Sequence, residues 1–211
     1  MHDPSRRPPS NRVGILSSLV ENTPVLALLV ALLLELGAPA KVAPEYAVLI
    51  EKEARVFKIP AEVGAALCGH ESRWNVRARG AVGEIGLCQL LRGTLATRGF
   101  EHLTDRQLER PAVQFHLAFR HLAFLRGVCG RVTIDSPGRW TSPYSGRKCG
   151  WSSYSSAIMN ELGAAEARVI ARRGPVMMTG LVGFTPGPKG RIPFSSGRPV
   201  LWCRDEWTVS R

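Results

Sequence analysis

The sequence predicts a mostly α-helical domain, and three observations carry that expectation. Four segments repeat apolar residues at helical spacing. Prolines open or closely precede several of them, where a missing backbone N–H costs nothing. The long stretch between the second and third segments is glycine-rich and has no such period.

The first segment, Pro44–Phe57, sets Tyr46, Ile50, Ala54 and Phe57 at helical intervals. The second starts at Pro60 and runs to about Ser72. Its Val63, Leu67 and Glu71 lie four apart and share a face. The third opens at Pro111 and reaches about Val128, with Leu117, Ala118, Leu122, Phe124 and Leu125 on its apolar side. The fourth begins near Ser155 and Ser156, both good caps, and carries Ile158, Leu162, Ala165 and Val169 as a stripe. Within residues 76–97, Gly80, Gly83 and Gly86 recur three apart, which predicts irregular backbone or a small hairpin.

Two extensions flank this domain, which is expected over residues 41–172. Residues 1–40 read as a signal peptide or membrane anchor. Arg6, Arg7 and Arg12 precede the apolar run Pro24–Leu34, and Ala38-Pro39-Ala40 offers a small-x-small cleavage site. A packed internal helix is the alternative reading of that run. Residues 173–211 are rich in Gly, Pro and Arg without periodicity and read as a flexible basic tail.

The net charge is +11, and the first 40 residues contribute none of it, since three arginines meet Asp3, Glu21 and Glu35. Such a chain seeks polyanions: nucleic acid, membrane surface or cell wall. Sparse aromatic interleaving in the basic tail argues against nucleic acid as a partner. No P-loop, dinucleotide fingerprint or HExxH pair occurs, and no Cys/His cluster has zinc spacing, so neither a cofactor nor a metal is expected. The five cysteines are Cys68, Cys88, Cys129, Cys149 and Cys203. Buried thiols are the preferred reading; Cys129 and Cys149 flank one loop and can pair if the protein is exported.

Glu71 is the candidate for chemistry. It follows Val63 and Leu67 on an apolar face and sits where its helix should end. A carboxyl against apolar surface loses hydration, which favours its neutral form and lets it protonate a leaving oxygen. Periodicity alone favours an ordinary exposed glutamate at a helix end. The surroundings change that balance. Glu71-Ser72-Arg73-Trp74-Asn75 is followed by the segment Gly80 to Gln89, which ends in Gly86-Leu87-Cys88-Gln89. This resembles the lytic transglycosylase family of goose-lysozyme-like enzymes, whose Glu-Ser pair ends a helix ahead of a glycine-rich segment closing in Gly-Leu-Met-Gln. The approach from Ile59 to Leu67 also looks like the family's helix. Tyr144-Ser145-Gly146 resembles its Tyr-Asn-x-Gly element, with Ser for Asn and one residue fewer, and Tyr154 resembles the tyrosine that follows. The resemblance covers roughly residues 43–172.

The resemblance implies an α+β lysozyme-like fold, mostly helical, with a glycine-rich loop or hairpin after the catalytic helix. It implies peptidoglycan glycan strands as the partner and Glu71 as the catalytic acid/base. Ser72 would hydrogen-bond within the site, and Gln89 would face the sugar cleft. Tyr144 would hold Glu71 and substrate; Gly86, Leu87 and Tyr154 complete the implied substrate-binding set. Cys88 reads as packing, because nothing supplies a base for a nucleophilic thiol. Most glycosidases use two carboxylates. The resemblance implies a one-glutamate route that ends in a 1,6-anhydro sugar. Glu84 is the other carboxylate near the motif; as a second carboxylate it would favour hydrolysis, and as a solvated loop residue it would not.

Delivery to the periplasm or cell envelope, with membrane association through residues 1–40, follows from the export reading; a phage enzyme would instead be virion-associated. Two other classes stay open: a non-catalytic wall-binding or structural protein of a phage or secretion apparatus, and a basic DNA-associated protein.

Overall fold

In the computed structural model the described residues are 24–130 and 135–173, together with the strand residues 192–193 and 199–200. The chain divides into two units, residues 1–174 and 175–211. The first unit is helical, as expected. Its elements are α1 (Pro24–Glu35), α2 (Ala43–Phe57), α3 (Ala61–Ser72), a hairpin of β1 (Glu84–Ile85) and β2 (Leu90–Leu91), α4 (Arg92–Ala96), α5 (Asp105–Leu108), α6 (Pro111–Cys129), α7 (Pro137–Thr141), a 3-10 turn (Ser142–Ser145) and α8 (Ser153–Arg173).

Helix α3 lies at the centre. Val63 through Gly69 are all buried, so the helix has no solvated stripe over that stretch. A helix apolar all round belongs inside a core. Small residues make this possible: a Cβ at Gly64 would come within 2.1 Å of the Phe119 ring of α6. Around α3 pack α1, α2, α6 and α8. Tyr46 of α2 meets Phe115 of α6 edge-on with ring centroids 5.4 Å apart.

Helix α1, within the segment read as a signal peptide or membrane anchor, packs against the domain. Leu29, Leu32 and Leu33 are buried in the main core. Glu35 receives Arg168 at 2.7 Å and Arg172 at 2.9 Å, both from α8. The Trp74 indole donates to the Leu36 carbonyl at 2.9 Å. At about 2 kcal/mol per fully buried leucine, α1 is a substantial part of the core. The packed-helix alternative describes residues 24–35; Arg6, Arg7 and Arg12 lie outside the described residues. No helix among the described residues is long and apolar enough to cross a membrane.

The glycine-rich stretch forms the small hairpin, with Glu84 opposite Leu91 and Ile85 opposite Leu90. Helix α4 then occupies Arg92–Ala96, inside a stretch read as irregular. Helix α8 starts two residues before the expected serines. The capping pair is Ser152 and Ser155, each backbone N–H meeting the other's hydroxyl at 3.0 and 3.2 Å.

The expectation of buried free thiols is overturned at four cysteines. Cys68 is disulfide-bonded to Cys88, and Cys129 to Cys149. Cys203 lies outside the described residues. In the C-terminal unit, β3 (Ile192–Pro193) pairs antiparallel with β4 (Pro199–Val200), a short ladder where the sequence shows no strand period. The rest of the tail, whose flexibility was expected from composition, lies outside the described residues.

Candidate active site

Glu71 occupies the last turn of α3, and the chain leaves that helix abruptly. Arg73 and Trp74 both take positive φ, 50° and 65°. Non-glycine residues resist this conformation, so their surroundings must hold them there. The Arg73 N–H donates to the Gly69 carbonyl at 2.9 Å. The Trp74 ring covers Gly69, where a Cβ would come within 2.9 Å of it, and its indole N–H is anchored on Leu36. The end of α3 is thus fixed by these contacts.

Tyr154, on the first turn of α8, donates its hydroxyl hydrogen bond to Glu71 Oε1. The His70 ring meets Tyr154 edge-on at 5.6 Å and pairs through Nδ1 with Glu161 at 3.1 Å. Burial raises the Glu71 pKa above the ordinary carboxylate value. The Tyr154 hydrogen bond and the charge of His70 oppose that rise, and the charge of Glu84 adds to it. The net upward direction suits a group that must arrive carrying a proton. Burial and the nearby Glu71 charge push the Tyr154 phenol far above its ordinary range, so it remains a donor.

The Gly86-Leu87-Cys88-Gln89 turn is brought to this helix end by three ties. The first is the Cys68–Cys88 disulfide, which joins the turn to α3 one turn before Glu71. The second is Tyr144, whose hydroxyl donates to the Cys88 carbonyl at 2.8 Å. The third is buried Gln114 of α6. It accepts from the Cys88 N–H at 2.9 Å and donates to the carbonyls of Ile85 at 3.1 Å and Leu108 at 2.6 Å. Gly86 is required here. Its φ is +78°, and a Cβ would meet the Gln114 amide at 2.6 Å.

The individual expectations fare differently. Tyr154 supplies the hydrogen bond to Glu71, while the Tyr144 hydroxyl braces the turn. Ser72 turns back onto its own helix, to the Cys68 carbonyl at 3.4 Å, rather than to a site partner. Leu87 is fully buried and offers no surface to a ligand; Gly86 is buried as well. Gln89, at φ 48°, is half-buried, and its amide donates to the Gly86 carbonyl at 2.8 Å. Glu84 accepts from the Val82 N–H at 3.0 Å within its own loop. Both side chains crowd over Gly80, where a Cβ would come within 2.1 Å of Glu84 and 2.9 Å of Gln89.

Sequence reasoning missed Gln114, the His70–Glu161 pair and the Cys68–Cys88 bridge. The bridge had a signal. Cys68 lies three residues before Glu71 and Cys88 lies inside the second motif, and two motifs serving one site must converge. Among the described residues no group of three His, Cys, Asp or Glu is placed to hold a metal ion.

Curated proteins and solved structures show no match to the chain. Residues 48–146 match the family model of the transglycosylase SLT domain, a span that contains Glu71, the glycine-rich hairpin and Tyr144. At family level this gives a transglycosylase-type enzyme with peptidoglycan as its substrate. Residues 48–146 are thus similar to the transglycosylase SLT domain family.

Proposed function

We propose that the protein is a lytic transglycosylase that cleaves the β-1,4 bond between N-acetylmuramic acid and N-acetylglucosamine, with Glu71 as its single acid/base. The observation that carries this reading is the desolvated Glu71 carboxyl, raised in pKa and held by the Tyr154 hydroxyl. Glu71 gives its proton to the glycosidic oxygen as the C1–O bond breaks. The resulting carboxylate takes the proton of the muramic 6-hydroxyl, whose oxygen attacks C1 and closes the 1,6-anhydro ring. The proton returns to Glu71 and no water is consumed. A low-dielectric setting favours both transfers, because the carboxyl is desolvated in either state.

Glu84 as a second carboxylate is the competing reading, with hydrolysis as its outcome. Its tie to the Val82 N–H favours a loop role. Gln89 and the exposed edge of Tyr154 are the proposed substrate contacts; Gly86, Leu87 and Tyr144 support the backbone beneath them. Delivery to an oxidising envelope compartment is proposed from the two disulfides, which persist where thiols are not kept reduced.

Zymography on purified peptidoglycan tests the proposal. Wild type is expected to clear the gel, and Glu71→Gln, matched in folding by circular dichroism, is expected not to. Equal clearing by both would overturn the role of Glu71; wall binding without clearing by wild type would favour a non-catalytic wall-binding protein.

A further inference from the structure

Beside the site lies a small pocket whose lining includes Leu90, Leu95, Phe100, Arg98, Arg120 and His121. It adjoins the turn described above: Leu90 follows Gln89 directly, and the His121 ring packs on Tyr144 at 5.3 Å. Among the described residues the pocket wall is apolar apart from Thr94 and these basic groups, and no carboxylate lines it.

Several arginines among the described residues, Arg55, Arg79, Arg92, Arg126 and Arg168, are paired with acidic side chains. Arg98 and Arg120 instead lie over rings, Arg98 over Phe124 at 3.4 Å and Arg120 over Phe100 at 4.6 Å. Ring stacking fixes the plane of a guanidinium and leaves its N–H fork free for a planar anion. Burial, and then the charge of Arg120, lowers the Arg98 pKa, so the two cations lie close enough to repel each other. His121 does not add a third charge, since burial and Arg98 lower its pKa to about 4. Its Nδ1 is buried without a hydrogen-bond partner.

We infer that Arg98 and Arg120 form a carboxylate subsite beside the Gly86–Gln89 turn, which takes a free carboxylate of the peptide carried by the muramic acid. The apolar wall next to the guanidiniums suits the small side chains flanking such a carboxylate, and a naked glycan strand has no group of this chemistry to place there. The enzyme would therefore favour peptide-bearing over peptide-free glycan. This rests on the proposed lytic transglycosylase reading.

Two measurements test it. In the first, rates on peptide-bearing glycan and on the same glycan stripped of peptide by an amidase are compared for wild type, Arg98→Gln, Arg120→Gln and the pair. Wild type is expected to favour the peptide-bearing strand. Each single variant is expected to reduce that ratio about tenfold, the size of one lost charge-assisted hydrogen bond. Arg120 is exposed, so its variant is expected to fold normally. An unchanged ratio in both variants overturns the subsite. In the second, binding of a free stem tripeptide with its carboxylates, and of its fully amidated counterpart, is measured by calorimetry on Glu71→Gln with and without Arg120→Gln. Binding of the carboxylate form alone, weakened by Arg120→Gln, supports the subsite even if no glycan is cleaved, in which case the catalytic reading fails by itself. Equal binding of both peptides, or displacement by equimolar inorganic phosphate, overturns a carboxylate site.

Discussion

The Tyr154 hydroxyl donates to the Glu71 carboxylate across the gap between α8 and α3. This bond stabilises the ionised form of Glu71, while burial favours the neutral form and prevails. Removing it in Tyr154→Phe raises the Glu71 pKa further. Because the first step needs protonated Glu71, the alkaline limb of the pH–rate profile is expected to move to higher pH, while the maximal rate falls about tenfold or more through lost positioning. A limb that stays in place while the rate falls would show that Tyr154 acts only through structure.

Glu84 adds to the Glu71 pKa through its charge, and it is the smallest of the four influences. Glu84→Gln therefore lowers the Glu71 pKa slightly. The expected outcome is a rate within a few-fold of wild type and an alkaline limb moved to lower pH. Loss of turnover of about a thousandfold, the cost of removing an essential catalytic group, would restore Glu84 as a second carboxylate.

The two disulfides make separable predictions. Each closes a sequence separation of 20 residues, so each is expected to contribute about 3 kcal/mol to stability. Paired Cys→Ala replacements at 68/88 and at 129/149 should lower Tm by similar amounts. Turnover measured well below either Tm should fall in the 68/88 variant alone, because that bridge joins Glu71's helix to the Gly86–Gln89 turn. Equal turnover in the two variants would remove the bridge from the site's architecture.

Helix α1 invites truncation. A chain starting at residue 24 keeps all of α1 and sets the reference Tm. A chain starting at residue 41 loses Leu29, Leu32 and Leu33 from the core and is expected to unfold well below it. Equal melting of the two would return residues 24–40 to the status of a separable segment.

The helices that build the core were legible because apolar spacing and first-turn prolines act locally. Glu71 was legible only through its neighbours, since Val63 and Leu67 by themselves favour an exposed glutamate at a helix end. Interactions between distant elements were hidden. Tyr154 and Tyr144 are both tyrosines near the site, and only the packing of α8 on α3 decides which reaches Glu71. Gln114 looks like a stray polar residue beside Phe115 until its three hydrogen bonds to the hairpin and its flank are seen. Helix α1 reads as an export segment because a core helix and a signal peptide share the same short apolar run. Glu35, which ends that run, finds its arginines only in the fold.

The central claim is that Glu71 alone carries both proton transfers. Mass spectrometry of the fragments released from purified peptidoglycan tests it most directly, with Glu71→Gln digested in parallel. The account predicts muramic ends in the 1,6-anhydro form from wild type and no released fragments from the variant. Reducing-end muramic acid from wild type, or anhydro fragments from Glu71→Gln, would contradict it.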